Sequence, residues 1–97
     1  MIKYRLSNTT KEDLIRIHHY GIKTFGERLA DKYFNSFFEY FDRISQSPYS
    51  FESVEYIKIG YRKNVCSSDS IYFRINENDK VVEIIAIVGH QDLKNLL

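Results

Sequence analysis

The clearest pattern of apolar and polar positions lies between residues 71 and 88. Apolar and polar side chains alternate over 71–75, four polar residues follow at 76–79, and β-branched side chains dominate 81–88. Two such runs around a polar connection predict a β-hairpin. The second run is apolar on both sides of its predicted alternation, with Ile85 and Ile87 on one side and Val82, Ile84, Ala86 and Val88 on the other. We therefore expect this strand to lie mid-sheet and to be covered on both faces.

The N-terminal residues predict a strand followed by a helix. Ile2, Tyr4 and Leu6 alternate with polar residues, which is the period of a strand with one buried face. The segment Thr9-Thr10-Lys11-Glu12 matches a capping box and predicts the start of the first helix. Gly21 near its end indicates either a C-cap or a close helix crossing.

A second capping pattern, Thr24-Phe25-Gly26-Glu27, predicts a second helix after a short turn over 22–25. Apolar side chains then recur every three or four residues along one helical face. They are Ala30, Phe34, Phe37, Phe41 and Ile44. This stripe is typical of a helix that packs against both a neighbouring helix and a sheet, and we interpret it as core rather than as a ligand site.

Residues 45–55 contain Pro48, the only proline, and are predicted to form a surface loop. Alternating side chains over Tyr56–Cys66 predict another strand, and 67–69 predict the turn into the hairpin. The expected architecture is a single α+β domain spanning residues 1–97, with the order β-α-α-β-β-β. In this arrangement a helical hairpin packs on one face of a small, mostly antiparallel sheet.

Composition narrows the classes of function. The 97 residues carry a formal net charge of +1, which gives no global field for bulk binding to nucleic acid or membrane surfaces. One cysteine, Cys66, rules out an internal disulfide, and the first residues lack the apolar core of a signal peptide, so we expect a cytoplasmic protein without membrane attachment.

Adjacent His18 and His19 diverge on a helix and predict no metal site. The glycines match no phosphate-binding motif, and no cofactor is expected.

Basic side chains on the predicted strands are the first candidates for a site. Lys58, Arg62 and Arg74 are predicted to share a face, and His90 follows the last strand. The patch suits either phosphate or acidic side chains of a partner, or it is a solvated face with Glu83 as counter-ion. RNA cleavage without a metal would need His90 as acid or base and Arg62 or Arg74 as the cation, and no second acid or base is evident.

Taken together, several short motifs along the chain resemble the ParE toxins of the RelE/ParE superfamily. The motifs are Tyr4-x-Leu6-Ser7, Asp13-Leu14-x-x-Ile17 with Tyr20, Phe25-Gly26, Ala30 and Tyr33, Phe41, Pro48, Gly60-Tyr61-Arg62, Ile71-Tyr72-Phe73-Arg74, Val82-Glu83-Ile84-Ile85 and His90-Gln91. Family members often read Arg-Met-Asp after the final strand, whereas this chain reads Gln91-Asp92-Leu93. The resemblance spans nearly the whole chain.

The resemblance implies the toxin half of a type II toxin–antitoxin pair, which acts on DNA gyrase and is neutralised by a ParD-like antitoxin. RelE-like relatives instead cleave messenger RNA on the ribosome, and other relatives keep antitoxin binding without toxicity. The sequence favours gyrase, because residues 90–97 contain no aromatic hydroxyl and the net charge of +1 suits a ribosomal RNA surface poorly.

Gyrase inhibition by stoichiometric binding needs no catalytic residues, and we expect no sequence-specific nucleic-acid binding by the chain alone. The expected contacts divide into two sets. Those with the target are Lys58, Arg62, Arg74 and His90, and those with the antitoxin are Tyr20, Tyr33, Phe38 and Tyr40.

Overall fold

The computed structural model describes residues 3–89. Two long helices follow a first strand, and four further strands complete the chain. The elements are β1 (Lys3–Leu6), α1 (Asn8–Phe25), α2 (Glu27–Gln46), a 3-10 turn (Pro48–Ser50), β2 (Glu52–Ser53), β3 (Tyr61–Cys66), β4 (Asp69–Asn76) and β5 (Val81–Gly89). The predicted α+β class and the order of the large elements are confirmed. The short strand β2 lies in the stretch predicted to be loop.

The strands form one five-stranded sheet in the order β1-β5-β4-β3-β2. β1 pairs with β5 in parallel, and the other neighbours are antiparallel. β5 is internal, as predicted, because it lies between β1 and β4. The middle strand of the sheet is β4.

The predicted alternation along β5 is wrong because the strand contains a β-bulge. Phe73 pairs with Ile84 while Tyr72 pairs with Ala86, so Ile85 is the extra residue. The bulge reverses the alternation beyond it, and Ile84 and Ile87 are both buried in the core. Side chains on the other face of β5 are half-buried, so this face is less covered than predicted.

The core lies between the helical hairpin and one face of the sheet. Phe37, Phe41 and Ile44 of the α2 stripe are fully buried against strand residues that include Phe73 and Ile84. Burying each such side chain contributes roughly 1.5–3 kcal/mol. The predicted role of the stripe is confirmed.

The helix ends differ from the predicted capping boxes. Ser7 caps α1, since its Oγ accepts a hydrogen bond from the Thr10 amide at 3.0 Å, and the predicted box from Thr9 to Glu12 is wrong. A single residue, Gly26, with φ of +89°, separates the helices, so the predicted cap at Thr24 is also wrong. Gly21 lies inside α1, and a Cβ there would approach the Ala30 Cβ to 3.1 Å. Gly21 therefore lies where the two helices cross closely, and it is not a C-cap.

The predicted strand over Tyr56–Cys66 begins five residues late, at Tyr61. The preceding segment, residues 55–60, is a hydrogen-bonded turn in which the Ile57 amide donates to the Val54 carbonyl at 2.8 Å. Gly60 ends the turn at φ of +83°, a region that glycine adopts without strain. The apolar alternation of this segment therefore does not form a strand.

Candidate functional site

The two arginines predicted to share a face lie on opposite faces of the sheet. Arg62 pairs with Phe73, whereas Arg74 pairs with Tyr61, the residue before Arg62. Because successive side chains of a strand alternate between faces, Arg62 lies on the helix-covered side and Arg74 on the other. The prediction of one cationic face containing both is wrong.

Arg62 binds neighbouring parts of the chain. Its guanidinium donates to the Phe51 carbonyl at 2.8 Å and lies 5.3 Å from the centroid of the Tyr49 ring. The Tyr49 hydroxyl in turn donates to Glu77 at 2.6 Å. These contacts hold the segment before β2 against β3 and the β4–β5 turn.

Arg74 belongs to a row of side chains that crosses four strands on the face of the sheet opposite the helices. Arg5, Glu83, Arg74 and Tyr61 are successive pairing partners in β1, β5, β4 and β3. Glu83 accepts from Arg74 Nε at 2.5 Å and from Arg5 at 2.9 Å. The hydrogen bond from Arg74, followed by that from Arg5, holds the pKa of the Glu83 carboxyl below its usual value. Glu83 is thus the counter-ion of this face.

Lys58 reaches the same face from the turn before β3. Its Nζ lies 5.6 Å from the centroid of the Tyr61 ring, and Tyr61 is the cross-strand partner of Arg74. Lys58 and Arg74 therefore border one tyrosine. His90, the fourth predicted target residue, lies outside the described residues.

The two adjacent histidines of α1 lie in different surroundings. His18 contacts Asp31 at 2.7 Å and packs edge-on against Phe34, while His19 is exposed. Within residues 3–89, no cluster of three His, Cys, Asp or Glu side chains could hold a metal ion. Over the same residues, no helix is both long and apolar enough to cross a membrane.

A groove of about 550 Å³ lies between the helical hairpin and the end of the sheet that carries the β3–β4 turn. Two of the four predicted antitoxin contacts, Tyr20 and Tyr33, line it. Exposed Phe25 and Leu29 add apolar surface that the sequence prediction missed. Both lie outside the buried stripe of α2, and a search for apolar residues off that stripe would have found them.

Phe38 and Tyr40, the other two predicted antitoxin contacts, lie away from this groove. The Phe38 ring packs edge-on against Phe41 with 5.5 Å between centroids. Tyr40 is half-buried beneath the guanidinium of Arg43, 5.5 Å from the ring centroid. The structure therefore separates the predicted set into two pairs.

One end of the groove is polar. The Tyr33 hydroxyl donates to Asp69 Oδ2 at 2.5 Å, and Asp69 is itself buried. Burial, and then the hydrogen bond to Asp69, raises the pKa of Tyr33. Nearby Cys66 is buried, and this burial raises the pKa of its thiol to about 12.

Comparison with known proteins gives a family and a structural relative. The family model of the ParE toxin of the type II toxin–antitoxin system, parDE, matches residues 4–93. A solved structure titled chromosomal ParDE TA system from P. aeruginosa is similar, with a TM-score of 0.80 and 19% identity over 92% of this chain and 96% of that chain. A search of curated proteins found no match. Since the family model covers nearly the whole chain, the protein belongs to the ParE toxin family of type II toxin–antitoxin systems.

Proposed function

We propose that this ParE-family toxin inhibits DNA gyrase by stoichiometric binding and is neutralised by a ParD-like antitoxin. Such a toxin acts in the cytoplasm, where its target is. Binding is favoured over RNA cleavage by the contacts that Arg62 and Arg74 make. Arg62 is held by the Phe51 carbonyl and Arg74 by Glu83, on opposite faces of the sheet. RNA cleavage would need one of these guanidiniums as the cation for the phosphate, and each is already bound to an acceptor within the protein.

The groove is the proposed antitoxin site. Its lining is mainly apolar, with Tyr20, Phe25 and Leu29 exposed along the helical hairpin and a polar end at Tyr33 and Asp69. This arrangement fits the apolar face of an amphipathic helix, which orders on binding. Contacts with Phe38 and Tyr40, also predicted, would require the antitoxin to continue along α2 beyond the groove.

The face around Tyr61 is the proposed target surface. Lys58 and Arg74 border this tyrosine and give the surface local positive charge within a chain of net charge +1. His90 remains part of the proposal, and Arg62 contributes by fixing the segment behind this surface. Acidic side chains of a protein partner match these cations.

A supercoiling assay with purified DNA gyrase tests the proposal. The toxin should inhibit supercoiling at near-stoichiometric ratios, and prior mixing with its antitoxin should restore activity. As a matched pair, Arg74→Ala should weaken inhibition, whereas Arg16→Ala, at the groove, should not.

Absence of inhibition at excess toxin would contradict the gyrase assignment. Mapping transcript ends after induced expression then separates the alternatives. New cleavage sites would identify a RelE-like endoribonuclease, and unchanged transcripts without growth arrest would identify a non-toxic antitoxin-binding relative.

A further inference from the structure

The turn before β3 exposes three large apolar side chains within four residues. Tyr56 is 76% exposed, Ile57 54% and Ile59 87%. Single exposed apolar residues are ordinary, but adjacent ones indicate an interaction surface. We refer to residues 55–60 as the apolar loop.

The backbone of the apolar loop is fixed by its own hydrogen bonds. The amides of Ile57 and Lys58 donate to the Val54 carbonyl at 2.8 and 3.3 Å, and the Tyr61 amide donates to the Lys58 carbonyl at 3.1 Å. The Val54 side chain is fully buried, and its amide donates to the Tyr61 carbonyl at 2.8 Å. The exposed side chains are thus presented on an anchored turn, which lowers the entropy lost when a partner orders them.

The charges of the loop indicate the chemistry of the partner. The loop carries one acidic residue, Glu55, and one basic residue, Lys58, so it has no surplus charge to attract a phosphate backbone or an anionic membrane. Lys58 has no carboxylate partner among residues 3–89, and its Nζ lies against the Tyr61 ring. A protein pocket with an apolar floor and a carboxylate at its rim complements this arrangement.

We propose that the apolar loop is the anchor by which the toxin binds its protein target, entering an apolar pocket with a carboxylate at the rim. The inference rests on the proposed function and extends it, because the predicted target residues were cationic and this anchor is hydrophobic. Ile57 and Ile59 fill the pocket, and Lys58 binds the carboxylate. Buried apolar anchors of this kind provide most of the binding energy in many interfaces.

The loop and the groove lie at opposite ends of β3. The loop precedes Tyr61, and the groove includes the turn after Cys66, so the strand separates them by roughly 17 Å. An antitoxin segment in the groove therefore leaves the loop uncovered. Variants of the loop should affect the target alone.

The experiment compares the double variant Ile57→Ser/Ile59→Ser with a matched control, Ile15→Ser, on an exposed part of α1. Exposed substitutions of this kind leave stability nearly unchanged, which a thermal melt verifies for each variant. Growth arrest after induced expression, gyrase inhibition and antitoxin affinity are measured for all three proteins. The loop variant should lose growth arrest and inhibit gyrase at least about tenfold more weakly. Its antitoxin affinity and all properties of Ile15→Ser should match the wild type.

Growth arrest by the loop variant equal to that of the wild type would overturn the inference. If the wild type arrests growth without inhibiting gyrase, the target named in the proposed function is wrong. The inference about the apolar loop is then still tested by comparing growth arrest between the loop variant and the wild type. A wild-type dimer in sedimentation that becomes monomeric in the loop variant would assign the loop to self-association and also overturn the inference.

Discussion

The hydroxyl of Tyr33 donates a hydrogen bond of 2.5 Å to a carboxylate oxygen of Asp69, joining α2 to the first residue of β4. Asp69 is buried, so its carboxylate depends on partners within the protein. The contact also forms the polar end of the groove. One hydrogen bond thus contributes both to the packing of helix on sheet and to the shape of the proposed antitoxin site.

Replacing Tyr33 with Phe should destabilise the fold. The variant keeps the ring, which packs edge-on against Phe37, but leaves the buried Asp69 carboxylate without this donor. We expect a loss of about 1–3 kcal/mol in the free energy of unfolding, measured by urea denaturation. Tyr40→Phe is the matched control, because the Tyr40 hydroxyl has no hydrogen bond within residues 3–89. An equal loss in both variants would contradict the assigned role of the Tyr33 hydroxyl.

Cys66 should make the stability fall at alkaline pH. Burial raises its pKa from 9.0 to about 12, so the unfolded chain ionises the thiol at a lower pH than the folded chain does. The contribution of the protonated thiol is complete below pH 9.0 and is lost as pH rises toward about 12. Tyr33, whose pKa is also raised, adds a loss in the same direction above pH 10.0.

The measurement is urea denaturation at a series of pH values from about 8 to 11. The free energy of unfolding of the wild type should stay level up to pH 9.0 and fall above it, and that of Cys66→Ala should fall less. The variant is less stable at neutral pH because a buried side chain is shortened. If the free energy of unfolding falls with pH equally in the two proteins, the Cys66 thiol does not contribute to the loss of stability. A slope of opposite sign in the wild type would contradict the direction of both pKa shifts.

The cap of α1 offers a direct comparison between the sequence prediction and the structure. Ser7 Oγ accepts from the Thr10 amide at 3.0 Å and donates to the Ile85 carbonyl at 2.8 Å, whereas Thr9 is exposed in the first turn. Ser7→Ala should therefore lower the free energy of unfolding by about 0.5–2 kcal/mol. Thr9→Ala should change it by less than about 0.5 kcal/mol. If Thr9→Ala lowers the stability in thermal melts more than Ser7→Ala does, the predicted capping box at Thr9 would be supported and the cap at Ser7 contradicted.

The core was predictable from sequence because helix periodicity is regular. Phe37, Phe41 and Ile44 are buried as their spacing predicts, and no other element needed to be placed to reach that conclusion. The faces of Arg62 and Arg74 were not predictable, since a shift of one residue in strand pairing moves a side chain to the other face. The bulge at Ile85 changes the alternation of β5 in the same way.

The groove shows a different limit of sequence analysis. Tyr20 and Tyr33 could be identified as aromatic residues off the main stripe, but the groove also needs Asp69, which is distant in sequence and comes close only through the packing of β4 beneath α2. The apolar loop could not be predicted from sequence for a related reason. Its alternating Ile57 and Ile59 match a strand pattern, while the backbone bonds to Val54 form a turn.

Tyr20 should contribute to antitoxin binding, because it is 61% exposed and lines the groove. Removing an aromatic side chain from the centre of an interface commonly weakens binding by about tenfold or more. We therefore expect Tyr20→Ala to lower the affinity for the antitoxin to this extent, as measured by calorimetry with the purified partner. The loss should be accompanied by little change in melting temperature, since the side chain is largely exposed.

Tyr56→Ala is the matched control, because this tyrosine is 76% exposed in the apolar loop, at the other end of β3 from the groove. It should bind the antitoxin like the wild type and lose growth arrest, which is the reverse of the expected behaviour of Tyr20→Ala. If Tyr20→Ala binds the antitoxin normally while Tyr56→Ala does not, the antitoxin contacts the loop end of the sheet. The groove would then have no place in neutralisation, and the two proposed surfaces would have to be exchanged.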